Sequence, residues 1–238
     1  MSYLVRLVGV NSVSRSPQPL DLRQNRSMDS TVRVATPDDA AACAAIYAPF
    51  VADSAASFET SPPDPREVIR RIERFFGRET WLVLETEGTA AGFAYAKPFA
   101  DRPTFRWTLE TNVYVAADHQ RRGGGRLLYE ALLLRLARRG YHRAVASIVL
   151  PNEPAIALHE AVGFHQAGSF AKIGWKLGQW HDAVLFQRDL MADDTATPGN
   201  RTADAELPGL LTPEPLEVTR TPLHRPHPAE DLVAYFGD

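Results

Sequence analysis

Between residues 31 and 190, short β-type runs alternate with helix-type apolar stripes. TVRVA at 31–35 has the period-two pattern of a strand. TPDD follows, with Thr36 placed as N-cap, Pro37 at the first helical position and Asp39 beside the free amides, predicting a helix through about Phe50. Asp64, Pro65 and Glu67 repeat the start signal, and Val68, Ile69, Ile72, Phe75 and Phe76 then form one stripe of a second helix. WLVLETEGTAAGFAYAKPF reads as a hairpin turning at Glu87-Gly88. WTLETNVYVA is another strand, GGGRLLYEALLLRLARRG a helix stopped by Gly140, and RAVASIVL a further strand. PNEPAIALHEAVGF predicts a short helix ending at Gly163, and two strands complete the pattern to Leu190. Hairpins mixed with crossovers predict one α+β domain around a mixed sheet.

The flanks lack this patterning. Residues 1–30, with SVSRSPQPLDLRQNRS, show no sustained period and are expected to be a flexible leader, with Met28 as an alternative start. Residues 191–238 are proline-rich and are expected to be a disordered tail, because proline removes amide donors from helix and sheet ladders. Composition narrows the class further. The 238 residues are 45% hydrophobic, enough for a sizeable core, and the net charge of −3 gives no overall drive toward nucleic acid or an anionic membrane. Any anion site must therefore be local. The single cysteine, Cys43, excludes an internal disulfide and a cysteine metal framework, and its apolar surroundings predict burial. No stretch approaches the roughly 18 apolar residues of a membrane helix, and MSYLVRLVGV lacks the basic start of a signal peptide, so the cytoplasm is the expected location.

One segment concentrates positive charge and glycine. HQRRGGG at 119–125 sits between the strand NVYVA and the helix RLLYEALLLRL. Such a turn exposes backbone N–H groups at the positive end of a helix, a ready anion cradle, and Arg121, Arg122 and Arg126 add full charges. The P-loop lysine is missing, and Leu128 stands where G-x-G-x-x-G needs its third glycine. On these residues alone the segment reads equally well as a flexible surface turn.

Wider sequence resolves that choice by resemblance. Gln120 to Gly125 fits Q/R-x-x-G-x-G/A, and NEPAIALHEAVGF follows about 30 residues later. Together these resemble the GNAT superfamily of acetyl-CoA-dependent N-acetyltransferases. AASFET from 55, AGFAYAKPF at 91–99, FRWTLETNVYV at 105–115 and GWKLGQWHD at 174–182 resemble its phosphinothricin and methionine-sulfoximine acetyltransferase branch. The resemblance spans residues 31–190. It implies a mixed, mostly antiparallel sheet flanked by helices, and acetyl-CoA as cosubstrate without a metal.

Acetyl transfer to an amine needs a held CoA, a deprotonated nitrogen and stabilisation of the tetrahedral oxyanion. The resemblance gives the pyrophosphate to the amides of Gly123, Gly124 and Gly125 with Arg121, Arg122 and Arg126 beside them, and the pantetheine arm to the backbone of Val113, Tyr114 and Val115. Asn152 resembles a CoA-contacting asparagine and is equally placed to cap the following helix. Glu110 is the candidate base: alternation alone allows a solvent-facing carboxylate, and the resemblance places it in the cleft. His159 is the candidate proton donor to the departing thiolate, with a helix-surface histidine as the plain alternative. Tyr129 matches a branch tyrosine and is also placed to pack.

For the acceptor, Arg102 matches an arginine able to clamp an amino-acid carboxylate, with Phe58, Phe105 and Trp107 walling the pocket. Phe105 replaces a tyrosine of herbicide-detoxifying members, Val149 stands where glycine is frequent, and Ala100 where a lysine occurs. These departures move the expected acceptor from phosphinothricin itself toward a generic amino-acid-like amine, such as a methionine sulfone or sulfoximine. The resemblance also allows a homodimer. A protein N-terminus, lysine or polyamine is the alternative acceptor, and a non-catalytic acyl-CoA sensor the alternative of another class.

Overall fold

The computed structural model describes residues 30–75 and 81–191. The expected leader and tail lie outside the described residues, apart from Ser30 and Met191 at their inner edges. Seven strands form one sheet: β1 (Ser30–Val34), β2 (Trp81–Thr86), β3 (Thr89–Pro98), β4 (Thr108–Val115), β5 (Arg143–Val149), β6 (His165–Lys176) and β7 (Gln179–Asp189). Their order is β1-β2-β3-β4-β5-β7-β6. Every neighbouring pair is antiparallel except β4 and β5. The mixed α+β sheet expected from the pattern is observed, and it is mostly antiparallel as the resemblance implied.

Helices α1 (Ala40–Ala52) and α2 (Pro65–Phe75) cover one face, and α3 (Gly124–Arg138) with α4 (Glu153–Ala161) cover the other. The division follows strand alternation. Leu82 and Leu84 of β2 pack with Leu128, Leu132 and Leu136 of α3, whereas Trp81 and Val83 pack with Cys43, Tyr47 and Val51 of α1. Cys43 is buried, as its apolar surroundings predicted.

The local start and stop signals mostly act as read. Thr36 and Asp39 form a capping box, although the first turn, Pro37–Asp39, is a 3-10 turn that leads into α1. Asp39 also receives Arg33 through two nitrogens at 2.7 and 2.8 Å, which ties β1 to the entry of α1. Burial opposes ionisation of Asp39, and the Arg33 and Thr36 hydrogen bonds outweigh it, so its carboxyl lies below the ordinary aspartate range. Glu87 and Gly88 both take positive φ, 52° and 76°, as a tight hairpin turn between β2 and β3 requires. In α2, Val68 and Ile72 of the expected stripe are buried.

Candidate active site

The sheet opens where its one parallel pair meets. β4 and β5 are registered only from Thr108–Arg143 to Glu110–Val145. Beyond that point β4 stays with β3 as far as Val115, and β5 stays with β7 as far as Val149. The two strands therefore fork. At the crotch the Thr111 hydroxyl donates to the Val145 carbonyl at 3.2 Å. Past it, Val113 to Val115 stay paired with β3 on one edge, and their other edge borders the gap with no strand partner. Gln120 closes one of these, with Nε2 donating to the Val115 carbonyl at 3.0 Å.

A cavity of about 790 Å³ lies at the open end of the fork. Its walls come from α1 through Ile46 and Phe50, from Ala116 beyond β4, from Val149 and Asn152 at the end of β5, and from His181 on the β6–β7 hairpin. Asn152 also accepts the Ala155 amide at 3.2 Å as N-cap of α4, so capping and a place on the cleft wall coincide.

Next to the fork, the glycine-rich turn delivers the chain into α3. Gly123 is the N-cap with φ of 87°, a left-handed conformation that glycine adopts without steric cost. Gly124 and Gly125 are the first helical residues, with amides that have no intrahelical acceptor. Their missing side chains serve packing as well. A Cβ on Gly124 would lie 2.5 Å from Leu84 Cδ2, and one on Gly125 would lie 3.2 Å from Leu158 Cδ2. Arg121 and Arg122 are exposed beside these amides, while Arg126 is engaged with Glu130 at 2.7 Å. The turn is thus a positively charged helix start that faces solvent.

The two expected proton-handling residues are separated. Glu110 shares its strand face with Tyr114, which packs in the α1 core, whereas Leu109 packs in the α3 core. Its carboxylate is partly buried and pairs with Lys97 of β3 at 3.1 Å. His159 lies in the layer on the other side of the sheet, against Tyr129, Phe164 and Phe186. It is 5% exposed and is neither a helix-surface histidine nor part of the cleft wall. Its Nδ1 donates to the Ala155 carbonyl at 2.7 Å, because a carbonyl only accepts. Nε2 of the neutral ring then accepts from the Tyr129 hydroxyl, also at 2.7 Å. In that tautomer the Nε2 carries no proton to give.

Burial lowers the His159 imidazole below its ordinary value, with the Ala155 bond acting in the opposite sense. The unfolded chain consequently binds a proton here at a higher pH than the folded one. Stability is expected to rise with pH between the folded value and the unfolded value of about 6.5. Denaturant unfolding at pH 5 and pH 7 measures this: the wild type should lose more stability on acidification than His159→Gln. Equal losses would contradict a buried neutral imidazole.

The acceptor residues expected from resemblance sit outside the cleft wall. Arg102 is exposed at the start of the 3-10 turn Pro103–Phe105 and forms no ion pair among the described residues. Phe105 packs edge-on against Phe99, and Phe58 lays its ring over Gly174 of β6, where a Cβ would lie within 2.8 Å of three ring carbons. Trp107 turns toward Tyr141. Of the departures noted in the sequence, Val149 is the one that lines the cleft.

Sequence reasoning passed over the Glu110–Lys97 pair, Gln120 as a strand-end donor, and His181. The signals were present in part: Lys97 lies in AGFAYAKPF, and His181 belongs to GWKLGQWHD. Nothing in those blocks gave the register that brings either residue to the fork.

A family model described as "Acetyltransferase (GNAT) family" matches residues 47–164. A curated phosphinothricin N-acetyltransferase of Streptomyces viridochromogenes is 43% identical over 158 residues, which is 66% of this chain and 86% of that protein. The chain belongs to the GNAT acetyltransferase family. An L-methionine sulfoximine/L-methionine sulfone acetyltransferase of Salmonella typhimurium is 34% identical over 71% of this chain and 98% of the relative. Among solved structures, a GNAT superfamily phosphinothricin acetyltransferase from Sinorhizobium meliloti, in complex with AcCoA, superposes with a TM-score of 0.71 at 29% identity. That match covers 74% of this chain and 97% of the other. The matched family segment of this acetyltransferase contains the fork, the glycine turn and α4.

Proposed function

We propose that this acetyltransferase moves the acetyl group of acetyl-CoA directly onto the primary amine of a small amino-acid-like acceptor, of the phosphinothricin, methionine sulfone or methionine sulfoximine type. The observation that carries the reading is the fork between β4 and β5, with unpaired strand backbone on one side and the amide-rich start of α3 at its mouth. The names of the relatives support the acceptor class.

The residues present fit the donor. Amides of Gly124 and Gly125 with Arg121 and Arg122 hold the pyrophosphate, joined by Gly123 and Arg126 at the rim. Val113, Tyr114 and Val115 run alongside the pantetheine arm, with Asn152 across the gap. Acetyl-CoA supplies an activated acyl carbon, so no acetyl-enzyme is needed. Preorganised strand amides stabilise the oxyanion, since they point at charge that appears only in the transition state.

Glu110 takes the first proton from the incoming ammonium. Its pairing with Lys97 orients the carboxylate, and the acceptor's ammonium competes with Lys97 for it. His159 fixes the Tyr129 hydroxyl on the opposite side of the sheet and acts as a positioning residue in place of the thiolate donor expected from sequence. Arg102 holds the acceptor carboxylate, with Phe58 and Phe105 flanking it. A cytoplasmic location and a homodimer complete the proposal. Among the described residues no helix is long and apolar enough to cross a membrane. The β6–β7 hairpin exposes Phe170, Ile173, Trp175, Leu177 and Trp180, an apolar surface that a second copy would cover, and the solution mass tests it.

The deciding experiment is an amine panel with acetyl-CoA, read by thiol release. Turnover of phosphinothricin, methionine sulfone or methionine sulfoximine above that of polyamines, lysine and peptide N-termini is expected. Turnover confined to the latter group, or CoA binding with no turnover at all, would overturn the acceptor class or the enzymatic reading respectively.

A further inference from the structure

Three registered pairs, Thr108–Arg143 to Glu110–Val145, join β4 to β5, whereas β4 meets β3 and β5 meets β7 through seven pairs each. The sheet is therefore two well-paired halves held by one short seam. The fork opens at the end of that seam, so whatever closes its last position sets where the two strands part.

Thr111 is the next residue along β4 and is 2% exposed. It shares the α3 face of the strand with Leu109 and Val113, which pack among aliphatic groups of that layer. Valine would fill the same space there. A hydroxyl in such a setting costs stability unless it is hydrogen-bonded, and this one is spent on the Val145 carbonyl at 3.2 Å. The bond crosses from β4 to the last registered residue of β5 and adds a link at the open end of the seam.

Behind Thr111 the polar contacts continue into the core. Burial pushes the Tyr129 hydroxyl well above its ordinary value, and the Thr111 hydroxyl beside it opposes that rise. Tyr129 is 0% exposed and donates to His159 Nε2, whose ring is held in turn by the Ala155 carbonyl. With its proton directed to His159, Tyr129 meets Thr111 as an acceptor. The threonine hydroxyl thus lies between two acceptors, Tyr129 and the Val145 carbonyl, and is fixed by both. One string of polar groups, His159, Tyr129, Thr111 and Val145, runs from α4 through α3 to the seam in an otherwise apolar layer.

We infer that Thr111 is a positioning residue of the acetyl transfer: its hydroxyl fixes the point at which β4 and β5 part, and Tyr129 with His159 behind it holds that hydroxyl in place. The inference rests on the acetyl-transfer reading above. Glu110, which receives the ammonium proton, directly precedes Thr111, and Val113 to Val115, which border the donor arm, follow it. Thr111 stands between the two on one strand, with its side chain on the face opposite Glu110. Without the hydroxyl the seam loosens at its open end, and β4 shifts against the β5 wall at Val149 and Asn152. A shift of about 1 Å between the amine nitrogen and the thioester carbon can cost about 10²-fold in rate. His159 then acts on the reaction from inside the core, without giving up a proton.

Thr111→Val tests this, because it keeps the branched shape of the side chain and removes only the hydroxyl. kcat should fall roughly 10-fold or more, while the KM for acetyl-CoA stays near the wild-type value, since the pyrophosphate is held at the mouth of the fork rather than at the seam. Thr111→Ser retains the hydroxyl and should recover most of that loss. Wild-type kcat in folded Thr111→Val overturns the inference, as does a loss that serine leaves unrelieved. A threonine needed only for packing would give a lower thermal midpoint with kcat intact below it. Should the valine variant misfold, Thr111→Ala is a second form without the hydroxyl, and wild-type kcat there overturns the role equally. Tyr129→Phe removes the next link of the string. Combined with Thr111→Val it should lower kcat no further than the stronger single substitution, and losses that multiply overturn the link to Tyr129. Failure of the underlying reading looks different: the wild type itself would turn over no amine.

Discussion

Replacing Glu110 by Gln is expected to lower kcat/KM for the acceptor amine by about 10²-fold or more, with the KM for acetyl-CoA unchanged. The substitution preserves size and hydrogen bonding and removes only the capacity to hold a proton. It also removes the partner of Lys97, whose ammonium stands 3.1 Å from the carboxylate and is left half-exposed in the variant. A lysine in that position can reach water, so the fold should survive and the loss should be kinetic. The residual rate should rise with pH, because the fraction of free amine then no longer depends on the enzyme. Steady-state kinetics from neutral to alkaline pH, together with a thermal melt, separate these effects. Near-wild-type kinetics across that range would take Glu110 out of the base role.

Gly92→Ala is expected to lower stability by about 1–3 kcal/mol and to raise the KM for acetyl-CoA. Gly92 lies in β3 opposite Val115, and a Cβ there would stand 2.8 Å from the Tyr114 carbonyl oxygen and 3.3 Å from the Val115 Cα. Both contacts are to backbone, which has no rotamer to retreat into. β4 must move, and its available direction is into the fork, where Val113 to Val115 border the gap. A single methyl therefore couples the core to the donor site. Leu128 Cδ1, at 3.3 Å from the same position, resists the movement from the α3 side. Denaturant unfolding measures the first effect and donor titration the second. A variant with wild-type stability would show that β4 has slack the packing does not suggest.

Much of the fold was legible because local signals and period agree along this chain. Hairpin β2–β3 was readable from Glu-Gly between alternating runs, and its positive φ values follow from that pair. α3 and α4 were bounded by glycines at 140 and 163, each with positive φ in the structure. The glycine turn was readable as a helix start, but only half of its purpose was. Gly123 is there for backbone conformation, whereas Gly124 is tight against Leu84, a residue 40 positions away whose proximity no local pattern discloses.

The site was legible as a set of residues more than as an arrangement. Glu110 and Asn152 were found through motifs and stand at the crotch and the wall of the fork. His159 was found by the same means and given a place at the reacting sulfur, yet its two ring nitrogens are spent on Ala155 and Tyr129 inside the core. Alternation says which residues of one strand share a face. It does not say which helix layer covers that face, and this is what put Glu110 and His159 on opposite sides. His181 went unplaced for the complementary reason: its position on the cavity wall depends on the long-range pairing of β5 with β7.

The sequence by itself determined the elements, the α+β class, the amide-rich start of α3 and the family to which these motifs belong, because each depends on residues close together in the chain. The tertiary structure alone decided where β4 and β5 part, which ionisable groups meet in the gap, and which are withdrawn into the core. Those outcomes depend on long-range strand pairing and on burial, where a hydrogen bond to a distant carbonyl settles which nitrogen of a histidine holds its proton.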